Sequence, residues 1–255
     1  MSTRILSTII IVLGVMLLRP HGVDAADISL KLESHVVQIG AFYNGTTVEV
    51  QGKIPSDAEA LVRVIGSREE MHLKKKGKAG GLLWMNTGDV SFRNVPKVFM
   101  LYTSEESAKS IESPQLGLGF AVLKDQVEIS PADGDNEFLF KEFIRLKYKE
   151  GLYTRNYDAI QYGASENGMK SLRTSLQISP RMLPGSYTVE LFAIKNEKVV
   201  GQVSESLTIK QVGFPAQLSA LAFDHALLHG VLAVLVAIAA GLLTGVLFKG
   251  KGGAH

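Results

Sequence analysis

The sequence predicts a mainly β protein with inserted helices, built as one or more Ig-like β-sandwiches and followed by one C-terminal transmembrane helix. Three observations predict this fold class. About six or seven short segments alternate apolar and polar residues between turns, as sandwich strands do. A central segment instead has the period of about 3.6 residues that is typical of an amphipathic helix. An uncharged apolar run near the C-terminus is long enough to span a bilayer.

Residues 1–26 have the order of a secretory signal peptide. Arg4 gives a short basic region, residues 5–18 are an apolar run, and small residues end at Ala25. Because this run is short for a membrane span, we favour cleavage after Ala25 or Ala26 over an uncleaved N-terminal helix.

Residues 27–104 are predicted to form a β-sandwich domain. Val48, Val50 and Ile54 alternate with polar residues after an Asn-Gly turn, which indicates a half-buried strand. The later segments are predicted as a strand, "EALVRVIGS", a hairpin, "EEMHLKKKGKAGGLLWMN", and two short strands, "VSF" and "KVFMLYTS".

The tip of that hairpin is basic, with Lys74, Lys75, Lys76 and Lys78 close together. We favour a solvated hairpin tip as the interpretation. Contact with anionic lipid headgroups or an anionic partner is the alternative.

Residues 105–212 are predicted to form an α+β or β unit. A short helix is expected within 104–113, and a longer one near 136–150 with Asp135 or Asn136 as its N-cap. In the longer helix Leu139, Phe143 and Leu146 share one face, Glu137 and Lys141 form an i, i+4 pair, and Gly151 is the expected stop.

Strands return after about residue 170. "SLRTSLQIS" is predicted as one strand, and "SYTVELFAI" with "VVGQVSESLTIK" as a hairpin around Asn196. These strands fit either a second β unit or the closing strands of the first. One sandwich with a helical insertion and two separate domains therefore both remain open.

The C-terminal region divides into a juxtamembrane segment at 213–229, a transmembrane helix at 230–248 and a tail at 249–255. Lys249 and Lys251 follow the apolar run, as the positive-inside rule requires of a cytoplasmic tail. With a signal peptide at the other end, this predicts a single-pass protein of a bacterial inner membrane, with its main domain in the periplasm and its C-terminus in the cytoplasm.

Composition excludes several function classes. The chain has no cysteine, which excludes disulfides, thiolate zinc sites, iron–sulfur clusters and cysteine nucleophiles. Its net charge is only +2, and export makes nucleic acid an unsuitable partner. No G-x-S-x-G, P-loop or G-x-G-x-x-G motif is present. We therefore expect a non-enzymatic protein without a cofactor.

One cluster of potential metal ligands precedes the transmembrane helix. His225 and His229 lie four residues apart, so that they can share a helix face, and Asp224 adjoins them. We favour an interfacial role for both histidines, because amphipathic side chains suit the edge of a bilayer. No metal is assigned, and these residues remain only candidate ligands.

Small side chains recur every four residues along the transmembrane helix, at Ala233, Ala237, Gly241 and Gly245. Such a stripe lets a second helix approach closely. It therefore predicts helix packing, with a plain anchor as the alternative.

The chain resembles a family of putative transmembrane proteins catalogued mainly from alphaproteobacteria. The stretches that carry the resemblance are "IGAFYNGTTVEVQGKIP", "GLLWMNTGDVSFRNVPKVFMLYTS", "FKEFIRLKYKEGLY", "LPGSYTVELFAIKNEKVV" and "KQVGFPAQLSALAFDHALLHGVLAVLVAIAAGLLTGVLF". This sequence has His229 where the resemblance leads us to expect an aromatic residue such as tyrosine.

The resemblance implies an exported domain with one C-terminal membrane helix, often encoded beside permeases of the sulfite-exporter type. It carries no catalytic residues. The expected function is that of an accessory or interaction subunit of a membrane partner, for example a permease of this type. The lipid bilayer is expected to surround the helix. Self-association through the helix is the other expected use of it. An anchored periplasmic solute- or metal-binding module is the alternative.

Overall fold

The computed structural model describes residues 28–79, 82–111, 116–131 and 135–248. The predicted signal peptide at 1–26 and the predicted tail at 249–255, with Lys249 and Lys251, lie outside the described residues.

The described residues form strands β1 to β13 and helices α1 to α5. The strands are β1 (Ser29–Leu32), β2 (Val36–Ile39), β3 (Thr46–Pro55), β4 (Glu59–Gly66), β5 (Arg68–Ala79), β6 (Leu83–Pro96), β7 (Phe99–Thr103), β8 (Glu128–Ser130), β9 (Tyr153–Asn156), β10 (Gln161–Glu166), β11 (Met169–Ile178), β12 (Gly185–Lys195) and β13 (Lys198–Gln211). The helices are α1 (Ser107–Ser110), α2 (Ala121–Gln126), α3 (Asn136–Lys149), α4 (Phe214–Asp224) and α5 (Ala226–Phe248).

These strands form three sheets. A four-stranded sheet has the order β1-β3-β11-β10, a six-stranded sheet the order β2-β13-β12-β4-β7-β9, and a three-stranded sheet the order β5-β6-β8. Most neighbours are antiparallel, whereas β2 runs parallel to β13 and β7 parallel to β9. The four- and six-stranded sheets pack face to face as an Ig-like β-sandwich.

The main core lies between these two sheets. The inward positions of β3, such as Val48, Val50 and Ile54, contribute to one cluster with those of β12, such as Val189 and Leu191. Along β3 the outward neighbours of these residues are exposed or half-buried, which is the period of two that the sequence predicts.

A second core covers the opposite face of the six-stranded sheet. Leu101 and Phe192 of that sheet pack there with Phe92 of β6, Phe120 beside α2, and Phe143 of α3. The rings of Phe92 and Phe143 stack with their centroids 4.7 Å apart. The six-stranded sheet is therefore the middle of three layers, which explains why all five residues of β7 are buried and why its sequence does not alternate.

The boundary expected at residues 104 and 105 does not separate two folded units. Strand β3 pairs with β11 over ten residues, and β4 pairs with β12 over eight, so both large sheets combine strands from the two segments. The alternation of a strand reports which face is buried but not which strand lies beside it, and this is why the sequence left one sandwich and two domains open. The fold is one sandwich with a helical insertion.

Helix α3 spans Asn136–Lys149, where the sequence predicts a helix near 136–150. The side chain of Asp135 accepts a hydrogen bond from the backbone N–H of Phe138 at 3.0 Å, which makes Asp135 the N-cap. Glu137 and Lys141 pair at 2.9 Å, as their spacing indicates.

One smaller expectation needs correction. The segment "VSF" is not a separate strand but part of the 14-residue strand β6, because the hairpin continues through it. The short helix expected within 104–113 is present as Ser107–Ser110. The hairpin expected around Asn196 is present, and Asn196 and Glu197 take φ values of 50° and 57° in its two-residue turn.

Candidate functional site

Helix α5, Ala226–Phe248, is the one helix among the described residues that is long and apolar enough to cross a membrane. Its mean hydropathy is 2.7, and none of its apolar window is buried against the rest of the protein. Its 23 residues reach about 34 Å at 1.5 Å per residue, slightly more than the hydrocarbon thickness of a bilayer. The helix begins four residues before the predicted start at Gly230.

The small-residue stripe lies on an open face of α5. A methyl group placed on Gly241 or Gly245 would meet no heavy atom within 4 Å, apart from the helix's own nearby backbone. Ala233 and Ala237 continue the same face towards the sandwich and are also exposed. The face is therefore free to contact lipid or another helix, and helix packing through it stays a prediction.

The segment between the sandwich and α5 is the short helix α4. Gly213, at a φ of 69°, precedes it and Pro215 lies in its first turn. His225, with φ −131° and ψ 50°, interrupts the helical conformation between α4 and α5. The membrane helix is thus separated from the sandwich by a distinct apolar element rather than continuing directly from β13.

An exposed aromatic side chain lies beside the point where the chain leaves the sandwich. The backbone N–H of Val212 donates to the carbonyl of Ile39 at 2.9 Å, which places the β2–β3 loop next to the end of β13. Phe42 in that loop is 99% exposed, whereas its neighbour Tyr43 packs on the main core. This end of the sandwich therefore presents an unshielded aromatic ring next to the segment that leads into the membrane.

The candidate metal ligands do not assemble into a site. Asp224 ends α4, His225 occupies the break, and His229 lies in the first turn of α5, where its backbone N–H donates to the carbonyl of His225 at 3.0 Å. Within the ranges that the structure describes, no three His, Asp or Glu side chains come together as ligands of a metal ion would.

A groove that the sequence analysis missed lies on the outer face of the four-stranded sheet. It is an open cavity of about 420 Å³ bordered by β1, β3, β11 and β10. Three cationic side chains line it, Lys31 from β1, Lys53 from β3 and Arg173 from β11. We call it the cationic groove.

The strand register fixes how these cations are spaced. Gln51 of β3 lies opposite both Lys31 and Arg173, which are therefore two strands apart, about 10 Å between their Cα atoms. Lys53 lies two residues further along β3, about 7 Å from Gln51. The three cations thus surround Gln51 on one exposed face.

None of these three cations makes an ion pair or a hydrogen bond with any residue in the described part of the chain. Several other cations of the protein are paired, as Arg63 is with Glu190 at 2.7 Å. Glu49, a carboxylate further along the same face of β3, is hydrogen-bonded by the hydroxyl of Ser175. Glu49 keeps its charge but lies outside the lining of the groove, and the lining itself contains three cations and no carboxylate.

Two glycines shape the groove. A methyl group on Gly163 of β10 would come within 2.5 Å of the Ser171 hydroxyl oxygen, so glycine leaves that hydroxyl uncovered. Gly52 of β3 lies beneath the groove, where a methyl group would be 2.8 Å from the carbonyl oxygen of Ser29. The absence of side chains at both positions keeps β1, β3 and β10 close and the surface concave.

One wall of the groove is held by a partly buried polar network. The Tyr162 hydroxyl donates to Glu59 at 2.7 Å, and both Lys170 and Ser104 donate to the same carboxylate at 3.0 Å. Burial raises the pKa of Tyr162 to about 12, so this hydroxyl keeps its proton at any physiological pH. Burial alone would raise the pKa of Glu59, but its hydrogen bonds from Tyr162, Lys170 and Ser104 outweigh this and hold it below the usual value.

The predicted basic hairpin is the β5–β6 pair, which runs beyond the second core as an arm. Lys74 pairs with Asp89 at 2.5 Å across the two strands. Near the tip Leu82 and Leu83 are 87% and 73% exposed. The lysines are thus on the surface, as the solvated interpretation expects, next to exposed apolar side chains that this interpretation does not explain.

The sequence contains only an indirect indication of the cationic groove. Lys31, Lys53 and Arg173 each occupy the polar phase of a strand that alternates. That pattern predicts an exposed position for each residue, but not that β1, β3 and β11 are neighbours. Only the strand order of the sheet brings the three cationic residues together.

A family model and a solved structure are similar to the chain. The family model described as "Putative transmembrane protein (Alph_Pro_TM)" matches residues 27–250. Among solved structures, murine CRIg is similar at 10% sequence identity with a TM-score of 0.26, over 73% of this chain and 98% of that one. A TM-score this low does not establish a shared fold. No curated protein matches the chain.

Proposed function

The chain belongs to the Alph_Pro_TM family of putative transmembrane proteins, and we propose that it acts as a non-enzymatic accessory subunit of a membrane partner. In this proposal it is a single-pass protein of a bacterial inner membrane, with its β-sandwich in the periplasm and its C-terminal tail in the cytoplasm. The signal-peptide pattern at 1–26 and the lysines at 249 and 251 support that orientation.

The observation that carries the proposal is the isolation of α5. Its apolar surface is not covered by the sandwich, so lipid or another membrane helix must cover it. In lipid, close packing between helices is a main source of association, and it requires small residues at the contact. The face that runs from Ala233 to Gly245 meets this requirement along about 18 Å of helix.

The partner that this proposal names is a permease of the sulfite-exporter type. Its support is the resemblance to a family whose members are often encoded beside such permeases. Pairing of α5 with a second copy of itself would use the same face, and the experiment that follows separates these two arrangements.

The test replaces both glycines of the stripe, in the variant Gly241→Leu with Gly245→Leu. The variant should lose co-purification of its membrane partner from native membranes, because leucine side chains keep the two backbones apart. Mass spectrometry of the co-purified proteins would identify a permease or recover only this chain. The matched control, Ala239→Leu with Val246→Leu, adds bulk to the opposite face and should retain the partner. Equal recovery with all three proteins would reject the proposal.

An anchored periplasmic solute- or metal-binding module is the second candidate function. The cationic groove favours the solute version, because it is an open polar cavity with unneutralised charge. The metal version would depend on Asp224, His225 and His229. Metal analysis of the purified protein, with His225→Ala and His229→Ala as the control variant, tests it. A metal-free protein whose melting temperature ignores added zinc or copper would remove it.

A further inference from the structure

We propose that the cationic groove binds a multiply charged anion of phosphate or carboxylate chemistry through Lys31, Lys53 and Arg173. This inference rests on the second candidate function, the solute-binding module, and names the class of its ligand. It does not depend on what covers α5.

The first argument is the unbalanced charge of the groove. Like charges on adjacent strands of one sheet face repel each other, and a fold normally offsets them with carboxylates. The described part of this protein does so at several other cations. Examples of such pairs are Arg63 with Glu190, Lys170 with Glu59, Arg93 with Glu70 and Lys195 with Asp57. At Lys31, Lys53 and Arg173 no carboxylate does so, and a bound anion would supply the missing charge.

The second argument is the spacing of the three cations. Lys31 and Arg173 are separated by about 10 Å at their Cα atoms, and both side chains are long and exposed. An anion with one charged group can approach all three only at their tips, whereas one with two or more groups can bridge them. Arg173 also offers the planar fork of donors that matches a phosphate or carboxylate.

The third argument is the presence of neutral hydrogen-bonding groups between the cations. Gln51 lies at the centre of the three, Gln161 of β10 is opposite Arg173, and the Ser171 hydroxyl is left uncovered by Gly163. Ligand sites combine a concave surface with a few polar groups that orient the ligand. A concave surface with charge of one sign also concentrates its electrostatic potential.

Free small anions and anionic lipid headgroups share this chemistry. The groove lies on a side face of the sandwich, and either source could supply its ligand. The experiment therefore uses the full chain in nanodiscs of two compositions, zwitterionic phosphatidylcholine alone and phosphatidylcholine with cardiolipin, whose headgroup carries two phosphates.

The test is calorimetric titration with inorganic pyrophosphate and, separately, citrate. In zwitterionic nanodiscs we expect saturable binding of at least one probe that weakens as salt is added. The variant Lys31→Gln, Lys53→Gln, Arg173→Gln should bind at least about tenfold more weakly. The matched control removes the same charge from exposed lysines elsewhere, at Lys124, Lys149 and Lys198, and should bind within about twofold of the wild type.

The two nanodisc compositions separate the sources. If cardiolipin headgroups occupy the groove, the wild type should bind pyrophosphate more weakly in the anionic nanodiscs than in the zwitterionic ones, and the groove variant should lose that difference. If the ligand is a free anion, the two compositions should give the same affinity at matched ionic strength.

Each remaining outcome bears on the proposal. Absence of saturable binding by both probes in zwitterionic nanodiscs would overturn it, as would an equal loss in the control variant. We expect the groove variant to melt at or above the wild-type temperature, since it removes repulsion; if it fails to fold, the single variants Lys31→Gln and Arg173→Gln replace it. The helix variant Gly241→Leu with Gly245→Leu should bind the probes normally, so failure of the accessory-subunit proposal leaves this one standing.

Discussion

Replacing Gly52 with alanine tests whether the two large sheets and strand β1 meet as closely as described. The added methyl carbon would be 2.8 Å from the carbonyl oxygen of Ser29 and 2.9 Å from a methyl carbon of Leu191. Ser29 belongs to the neighbouring strand, and Leu191 is a fully buried residue of the facing sheet. Neither atom can move away without shifting a strand or the core.

The expected cost follows from this crowding. Insertion of one methyl group into a well-packed core typically costs about 1–3 kcal/mol. For a folded unit of this size, each kcal/mol lowers the melting temperature by about 2–4 °C. We therefore expect Gly52→Ala to lower the melting temperature by about 2–12 °C, measured by calorimetry of the full chain in detergent. The shift of β1 should also weaken anion binding at Lys31.

A second glycine provides the control. Gly88 of β6 is exposed, and a methyl group there would meet no heavy atom within 4 Å. Gly88→Ala should leave the melting temperature unchanged or raise it slightly, because alanine loses less backbone entropy on folding than glycine does. A Gly52→Ala protein that melts within about 1 °C of the wild type, or a Gly88→Ala protein that is equally destabilised, would refute the packing described at Gly52.

Two further predictions concern the polar network and the end of the sandwich nearest the membrane helix. The hydrogen bonds from Tyr162, Lys170 and Ser104 hold the pKa of Glu59 below the usual value. The network should therefore stabilise the fold at pH values above the unfolded-state pKa of this carboxyl. This contribution should be lost as the pH falls through the lower folded-state pKa. Glu59→Gln should therefore melt with less pH dependence than the wild type below about pH 4.5, and an unchanged dependence would exclude this role. The chain lacks cysteine, so single cysteines can be labelled. A fluorophore on Phe42→Cys should be quenched by a lipid-borne quencher in proteoliposomes, whereas a fluorophore on Lys198→Cys, at the opposite end of β13, should not. Equal quenching of the two fluorophores would show that the β2–β3 loop is not at the bilayer.

The parts of the fold that local chemistry determines were open to prediction. The start of α3 depends on Asp135, which caps the helix only three residues before the backbone group that it binds. The β12–β13 hairpin depends on a two-residue turn at Asn196, whose side chain tolerates a positive φ. In both cases the determining residues are neighbours in the sequence.

The parts that depend on distant residues were not open to prediction. Lys147 lies on the buried face of α3, four residues after Phe143, and is only 1% exposed. Its amine lies 3.8 Å from Glu69 of β5, a partner that no helical pattern identifies. Burial lowers the pKa of Lys147, so the fold keeps this lysine inside at some electrostatic cost. A lysine read from sequence alone is placed on the surface.

Dependence on distant residues also explains why the sequence did not predict the cationic groove and why it left the division into domains open. Arg173 becomes a neighbour of Gln51 only because β11 pairs with β3 across more than a hundred residues. Gln51 and Arg173 are both exposed residues of alternating strands. The pairing of the strands depends on how the whole core packs, and the strand patterns of this sequence are compatible with several orders.

The proposed periplasmic position of the sandwich and the proposed partner contact both depend on the orientation of the chain in the membrane. The most direct test of this orientation is the labelling of single cysteines in intact spheroplasts with a maleimide that does not cross membranes. Lys198→Cys in the sandwich should be labelled in intact spheroplasts, and Ala254→Cys in the C-terminal tail only after the membrane is permeabilised. Labelling of Ala254→Cys in intact spheroplasts, with Lys198→Cys protected, would show the reverse orientation.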